Sequence, residues 1–389
     1  MRLLCVLGAG PDHPSTRFRI LQHLDRLRAG GVDADLLVAK RREGYDLVDL
    51  RRRARRADAV LIQKKLLARF KLAFLPADRP ILYDVDDAVF EISPDEERRF
   101  SAARAARRMR SRRARLAAVA RRARVVIAGN RFLADWIAGL GARVTVVPTG
   151  VDLAPFPADA VAAAAARRRA RTGERLIGWI GSRPSLPYLA ALAEPLRAVA
   201  ATVPGARLVQ VCNDFLDLPG VPTEKRRWDA ATEARDLLDC DLGLMPIDDR
   251  LFSRGKCGLK ILQYQAAGLP VVCSPVGANR EIVRAGETGL FAEDGPGWAQ
   301  AITRVLREPE TAMRLGAAGR ARVERDYAAP VIADRLLAVL RDVVTSGDDG
   351  VPRQPDEGGG DPEGDERLLV ADHLRERPAL GSRVRKPPQ

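Results

Sequence analysis

Several features are scarce in this sequence, and each absence narrows what the chain can be. Its five cysteines (Cys5, Cys212, Cys240, Cys257, Cys273) are scattered and odd in number, with no C-x-x-C pair, and its three histidines are equally dispersed. That spacing argues against a disulfide scaffold or a structural zinc site and predicts free thiols in a reducing cytoplasm. No apolar run reaches the roughly 18 residues a membrane helix requires. The opening MRLLCVLGAG is followed by no polar, small-residue cleavage region, so it reads as a buried first strand rather than a signal peptide. Aromatics make up only 5% and are not interleaved with the arginines. With no recognition motif either, this argues against a specific nucleic-acid reader, one of the classes a net charge of +14 would otherwise invite.

What is present is a chain of 389 residues, 46% apolar, too long for one ordinary core and suited to two α/β domains. The charge is lopsided. Residues 1–150 hold 32 basic against 17 acidic side chains, whereas 151–389 are close to balance. A basic first half predicts an anionic partner: a membrane surface, a lipid phosphate or a nucleic acid.

Short apolar runs of strand length recur between helical spacings. In the first half they are 2–8, 34–39, 58–63, 80–85, 125–128 and 144–147, with a helix over 16–30 ending at Gly30-Gly31. In the second they are 176–181, 206–211, 241–246, 270–273 and 289–291, with helices near 187–203, 231–239, 258–268, 297–307 and 310–325. Each strand reads as buried on both faces, as in parallel sheets. The fold class expected is α/β: two Rossmann-like, doubly wound parallel-sheet domains facing across a cleft, with ligands at the carboxyl ends of the strands. The expected division is 1–153 for the first domain, 154–175 for a linker, 176–327 for the second domain, 328–345 for a closing helix and 346–389 for a disordered tail.

Residues 95–124 are predicted as one helix carrying twelve arginines. Ser93-Pro94 and the acidic Asp95, Glu96 and Glu97 mark its start. Phe100, Met109, Leu116 and Val119 form a thin core-facing stripe. The remainder is either a solvated face of an arginine-rich chain or a surface for anionic lipid, to which each nearby Arg or Lys contributes about 1 kcal/mol.

The segment richest in chemistry is SRGKCGLKILQYQAAGLPVVCSPVGANREIVRAGETGLF, 253–291. Gly255 and Gly258 flank Lys256 and Cys257 just before a helix, an arrangement that lets backbone amides approach an anion, while Lys256 and Lys260 add charge. A second turn-to-helix junction at 274–283 places Gly277, Ala278 and Asn279 similarly. Each junction alone is equally well read as helix capping with solvated lysines; two of them, separated by one helix and one strand, favour a phosphate site.

This stretch resembles the donor-binding region of the group 1 glycosyltransferases, also called glycosyltransferase family 4. The likeness extends to IGWIGSR (177–183), IAGNRFLADWI (127–137) and VPTGVD (147–152), and so covers about residues 1–340. It implies the two-domain GT-B fold and metal-independent, retaining transfer of a sugar from a nucleotide-sugar donor, with no cofactor. By this resemblance Gly181, Ser182 and Arg183 face the donor pyrophosphate, Arg183 gripping oxygens in pairs. Lys256 or Lys260 supplies a second charge for the leaving diphosphate, and Gly277, Ala278 and Asn279 approach from the other side. Gly258 opens the helix between them. The family commonly carries two glutamates eight positions apart, one on the sugar and one on the ribose; here Gly255 and Gln263 stand at those places. Gln263 can still hydrogen-bond a ribose hydroxyl, but Gly255 offers the sugar no side chain.

YDVDDAVF (83–90) follows a strand, where ligands are expected. Asp86 and Asp87 align with a histidine–aspartate pair of the family, so they either meet acceptor hydroxyls, with Asp86 as a base, or cap the next turn; Asp84 reads as a turn cap. Clustered carboxylates also suit Mg²⁺, but the fold expected here is not that of the metal-dependent Asp-x-Asp transferases. In GAGPDHPSTRFRI (8–20), Arg17 and Arg19 open a helix where an anionic acceptor would sit, and His13 reads as a surface residue. The function expected is therefore a cytoplasmic glycosyltransferase, peripheral on the inner face of a membrane, acting on a cell-envelope glycan, lipid-linked or glycolipid acceptor. The alternatives are a sugar-nucleotide epimerase of the same fold, a partner subunit that has lost activity with its glutamates, and a nucleic-acid binder using the basic domain.

Overall fold

The computed structural model describes residues 1–38 and 45–345. Ala39, the last residue of the second predicted strand, and the tail expected at 346–389 lie outside them. The first half builds a six-stranded, all-parallel sheet in the order β2-β1-β3-β4-β5-β6. Its strands are β1 (Arg2–Leu7), β2 (Asp33–Val38), β3 (Ala59–Gln63), β4 (Ile81–Val85), β5 (Val125–Ala128) and β6 (Val144–Val146). The second half repeats the plan in the order β12-β11-β10-β7-β8-β9. Here the strands are β7 (Arg175–Ile180), β8 (Ala206–Cys212), β9 (Thr223–Arg227), β10 (Leu242–Met245), β11 (Val271–Cys273) and β12 (Leu290–Phe291). Every residue of β3, β4, β5 and β10 is buried, which is why these runs are largely apolar rather than alternating, Gln63 and Asp84 near the carboxyl ends excepted.

In each sheet the order reverses at one place, between β1 and β3 in the first and between β7 and β10 in the second. The loops leaving a sheet on either side of such a reversal diverge and open a crevice at the carboxyl ends. The topology therefore nominates the loops after β1 and β3 in one half, and after β7 and β10 in the other.

Several elements differ from expectation, among them the helix expected near 187–203, which is two, Leu186–Ala190 and Ala193–Thr202. The helix expected over 16–30 is broken at Ile20 into Pro14–Arg19, a 3₁₀ turn Leu21–His23 and Leu24–Ala29. The helix expected over 95–124 is two, Pro94–Arg99 and Ala102–Arg122, because Phe100 is extended and Ser101 caps the second through the Arg104 amide. Ser93 does start the first, in a capping box with Glu96. β9, TEKRR, was not expected: it is an edge strand whose charged residues carry no apolar pattern, a composition that protects an open sheet edge.

The final helix, Ala329–Thr345, returns to the first half. Its Ile332, Leu336, Leu337, Leu340 and Val343 join Leu3, Cys5 and Leu7 of β1 in one apolar cluster. Each such side chain contributes about 2 kcal/mol by burial. The halves also meet directly. Asn130 caps the helix Arg131–Ala138, and its Nδ2 donates to the carbonyls of Arg254 (3.1 Å) and Lys256 (3.0 Å) in the other half. The Cys257 thiol packs against the first half's core and reaches the Asp86 carbonyl at 3.2 Å.

Candidate active site

The second half presents its site at the reversal between β7 and β10. β7 ends on Trp179 and Ile180, and Gly181 turns directly over the Trp179 ring, leaving no room for a side chain. From β10 the chain runs through the short helix Leu251–Arg254 to Gly258, which takes a φ of +67° and so starts the helix Leu259–Ala266 from a conformation open to glycine. That helix has no side-chain cap. Among the described residues, the amides of Leu259 and Lys260 make no hydrogen bond, so the positive end of the helix is bare.

Two lysines face this end. The Lys260 ammonium lies 4.9 Å from the centre of the Trp179 ring, and that of Lys256 4.7 Å from the Phe252 ring. Neither has a carboxylate partner among the described residues. Burial, and then the charge of Lys256, push the Lys260 pKa down to about 7. The bare helix terminus and the two lysines concentrate positive charge at one place.

The first half presents its site at the reversal between β1 and β3. A cavity of about 340 Å³ is lined by Ala9 and His13 from the loop after β1, Ser15 from the helix Pro14–Arg19 that follows, Lys64 after β3, Asp87 after β4, and Phe252 from the other half. Lys64 adopts a left-handed φ of 55°, which costs a non-glycine residue about 1 kcal/mol. It is held there by its backbone N–H, which donates to the Asp84 carbonyl (2.7 Å), and by its ammonium, which lies 3.3 Å from Asp86, contacts Asp87, and donates to Ser15 Oγ at 3.1 Å. Burial raises the Asp86 pKa, but Lys64 and Arg19 overcome it and hold the carboxyl below its usual range. Burial opposes the Lys64 charge as well, and the two aspartates outweigh it, so the ammonium persists far into alkaline pH. His13 is pushed below its usual range by burial and by Lys64, leaving a neutral imidazole whose Nδ1 accepts from the Ser15 amide.

The residues nominated from sequence are thus brought together unequally. Gly181 and Lys260 lie against the Trp179 ring, Gly258 opens the helix that carries Lys260, and Lys256 is near enough to act on the Lys260 charge; Phe252, beneath Lys256, also lines the cavity that holds Asp87. Arg183 is exposed in the turn after β7 and makes no contact with the lysines among the described residues; Ser182 hydrogen-bonds within the same turn, its amide to Ser185 Oγ at 3.1 Å. Asn279 is wholly buried, its Nδ2 donating to the Ser274 carbonyl at 2.9 Å, and its amide is spent on Val276. The amides of Gly277 and Ala278 remain without partners among the described residues. Asp86 and Asp87 do not cap the turn through their side chains; both turn to Lys64. Asp84 is not a turn cap either: it is buried and grips Arg19 with both oxygens, Nε at 3.2 Å. Arg19, expected beside an anionic acceptor, is itself buried, because that pair and the Val147 carbonyl (2.7 Å) draw it beneath the sheet edge. Arg17 instead faces the second half, 3.8 Å from Glu233.

Gly255 explains one missing glutamate. A Cβ there would lie 2.5 Å from the Ala88 amide of the facing half, so any side chain would push the two halves apart. Lys64 was missed in the sequence although it follows a predicted strand directly, the position that should have drawn notice. Glu233 carried no such signal.

Residues 229–308 match the family model described as "Glycosyl transferases group 1". Over that segment the chain is similar to the group 1 glycosyltransferases. Among curated relatives, it is 30% identical over 226 residues to a D-inositol 3-phosphate glycosyltransferase of Segniliparus rotundus, a match covering 53% of this chain and 48% of that protein. It is 37% identical over 92 residues to the phosphatidyl-myo-inositol mannosyltransferase of Mycobacterium leprae, covering 23% and 24%. The chain therefore matches about half the length, or less, of these relatives. Among solved structures, HepE of Anabaena in complex with UDP and glucose aligns over 88% of this chain and all of its own, with a TM-score of 0.62 at 16% identity. Sucrose-phosphate synthase of Thermosynechococcus elongatus aligns over 89% and 99% with a TM-score of 0.63 at 15% identity. The architecture, two parallel sheets in two Rossmann-like halves, is that of GT-B glycosyltransferases.

Proposed function

We propose that this chain transfers a sugar from a nucleotide-sugar donor, bound by the second half (176–327), to a hydroxyl of an acceptor bound in the first (1–153). One observation carries the reading: the uncapped amino end of helix Leu259–Ala266 lies beside Lys256 and Lys260, two cations without a carboxylate partner among the described residues. A diphosphate satisfies all three, and a helix terminus binds such a group through its free amides. The Gly181–Arg183 turn and the Gly277–Ala278 amides complete the cradle, Arg183 closing on the phosphate from its exposed turn. The bond from the sugar's anomeric carbon to the diphosphate breaks as the bond to the acceptor oxygen forms. The acceptor proton passes to the departing diphosphate or to Asp86, and no metal is required. With its charges already paired, the first-half cavity suits a neutral polyol, such as a glycan or the sugar head of a lipid-linked or glycolipid acceptor, with Asp87 accepting from its hydroxyls.

An anionic membrane surface is the second proposed partner. Arg104, Arg107, Arg110, Arg115 and Arg121 are exposed along helix Ala102–Arg122, while Arg112 and Arg113 are folded back onto Glu96 and Glu91. Phe70 and Phe74, 59% and 40% exposed, lie on or beside the adjoining helix Arg69–Ala73 and supply an apolar edge. No helix among the described residues is long and apolar enough to cross a membrane.

The test is a thermal-shift panel of nucleoside diphosphates and their sugars, followed by turnover with Arg183→Ala and Lys256→Ala. Stabilisation by at least one nucleotide, and loss of most donor turnover in folded variants, is the expected result. Unchanged turnover in both variants refutes the site.

A further inference from the structure

Between the two halves, on the side where the chain passes from one to the other, lies a second cavity of about 250 Å³. Arg17 and Phe18 form one wall; Glu233 and Gln263 form the other. Gln263 is on helix Leu259–Ala266, one turn beyond Lys260, so the cavity lies one helical turn from the proposed diphosphate site. A group attached to a diphosphate seated at the helix terminus would enter it.

Glu233 is 8% exposed, and two neutral donors aim its carboxylate. Trp228 Nε1 donates to Oε2 at 2.6 Å and Gln263 Nε2 to Oε1 at 2.8 Å. Each oxygen keeps an acceptor site free. Arg17, at 3.8 Å, is too distant for a hydrogen bond and is instead stacked near the Phe18 and Trp228 rings, 4.8 and 5.8 Å from their centres. The carboxylate is therefore oriented, nearly desolvated and under-used, which is costly unless donors arrive. A pair of neighbouring hydroxyls is the ligand chemistry that fits two fixed acceptor oxygens. Gln263, whose amide is committed to Glu233, acts here as the group that aims the carboxylate.

We infer that Glu233 binds the ribose diol of the donor nucleotide, supplying from helix Glu233–Leu238 the carboxylate that position 263 lacks. This assignment rests on the donor reading above and extends it to a residue outside the 253–291 segment. Gln263 is a positioning residue in it, and Arg17 lines the cavity from the facing half.

The experiment compares UDP with 2′,3′-dideoxyuridine diphosphate by calorimetry on the full chain, in the native protein and in Glu233→Gln, Gln263→Leu and Lys260→Met. In the native protein the dideoxy nucleotide should bind about ten- to a hundredfold more weakly, the range of hydrogen bonds to a charged group. Glu233→Gln should bring UDP down to that level and leave the dideoxy affinity unchanged. Gln263→Leu should show the same pattern more weakly, and it supplies the answer if Glu233→Gln does not fold. Lys260→Met should weaken both nucleotides alike. If both carboxylate-side variants keep the native ratio between the nucleotides while Lys260→Met still weakens both, the diol assignment is overturned and the donor site stands. If neither UDP, GDP nor ADP binds the native protein, the donor site itself fails and the assignment falls with it.

Discussion

The two crevices occupy equivalent places in their sheets yet handle charge in opposite ways. In the first half, Lys64 sits between Asp86 and Asp87, and Arg19 is locked to Asp84, so every buried charge has a partner. In the second, Lys256 and Lys260 repel one another beside a bare helix terminus, and Lys260 has lost much of its hold on its proton. A balanced cluster is complete without ligand and costs nothing to bring together at the moment of binding. An unbalanced one stores repulsion that a ligand of the right sign releases. The same fold thus offers a pre-set polar cavity, which we propose takes a neutral acceptor, and an electrostatically incomplete helix terminus, which we propose takes an anionic donor, a difference that mutation can erase or invert.

The largest expected effect comes from the unbalanced side. Lys260→Met should weaken UDP binding at pH 6.5 by at least about thirtyfold, since a desolvated charge facing an anion is worth roughly 2 kcal/mol or more; calorimetry measures it. Equal loss in a Lys64 variant would erase the contrast between the crevices. Lys64→Met should instead leave UDP affinity within about twofold and lower stability by about 3 kcal/mol, because it strands two carboxylates. Thermal melting would register that as a fall in Tm of about 5 °C or more, with acceptor-dependent turnover lost in parallel.

A smaller effect follows from the Lys260 proton. Only the ammonium attracts a diphosphate, and in the free protein it titrates at about 7. Binding above that pH must take up a proton, so UDP affinity should fall as pH rises from 6.5 to 8.5, by up to about tenfold for each unit past 7. Lys260→Met should be flat over the same window. A native profile equally flat would place the ammonium away from the phosphates.

How much of this was legible in sequence depended on whether a feature was local. The strands were, since apolar runs such as VLIQ and ILYDV are buried whole, and so was the glycine-lysine junction at 255–260, whose residues are neighbours in the chain. Pairings across long separations were not. Arg19 and Asp84 are 65 residues apart, and nothing in RFRI announces that the second arginine turns inward. Gln263 and Glu233 meet only because helices Glu233–Leu238 and Leu259–Ala266 pack in space. Gly255 looked like a phosphate-loop glycine, whereas its tightest constraint is Ala88 of the other half. β9 was invisible because an edge strand of charged residues has no apolar signature.

The smallest prediction sets stability against binding at one residue. In the unfolded chain Lys260 has its ordinary pKa of 10.5; folded, it titrates at about 7. Between those values the unfolded state binds the extra proton, so this group's contribution rises with pH across that window, and below pH 7 its full penalty is felt. Removing the amine removes the penalty. Lys260→Met should therefore melt higher than the native protein at pH 6.5, by about 2 °C or more, with the gap narrowing toward pH 10, even as it loses the nucleotide. The Lys64 variant should do the reverse, melting lower while keeping the nucleotide. If both variants melt lower, Lys260 is a structural lysine whose charge the fold already satisfies, and the asymmetry between the two crevices disappears.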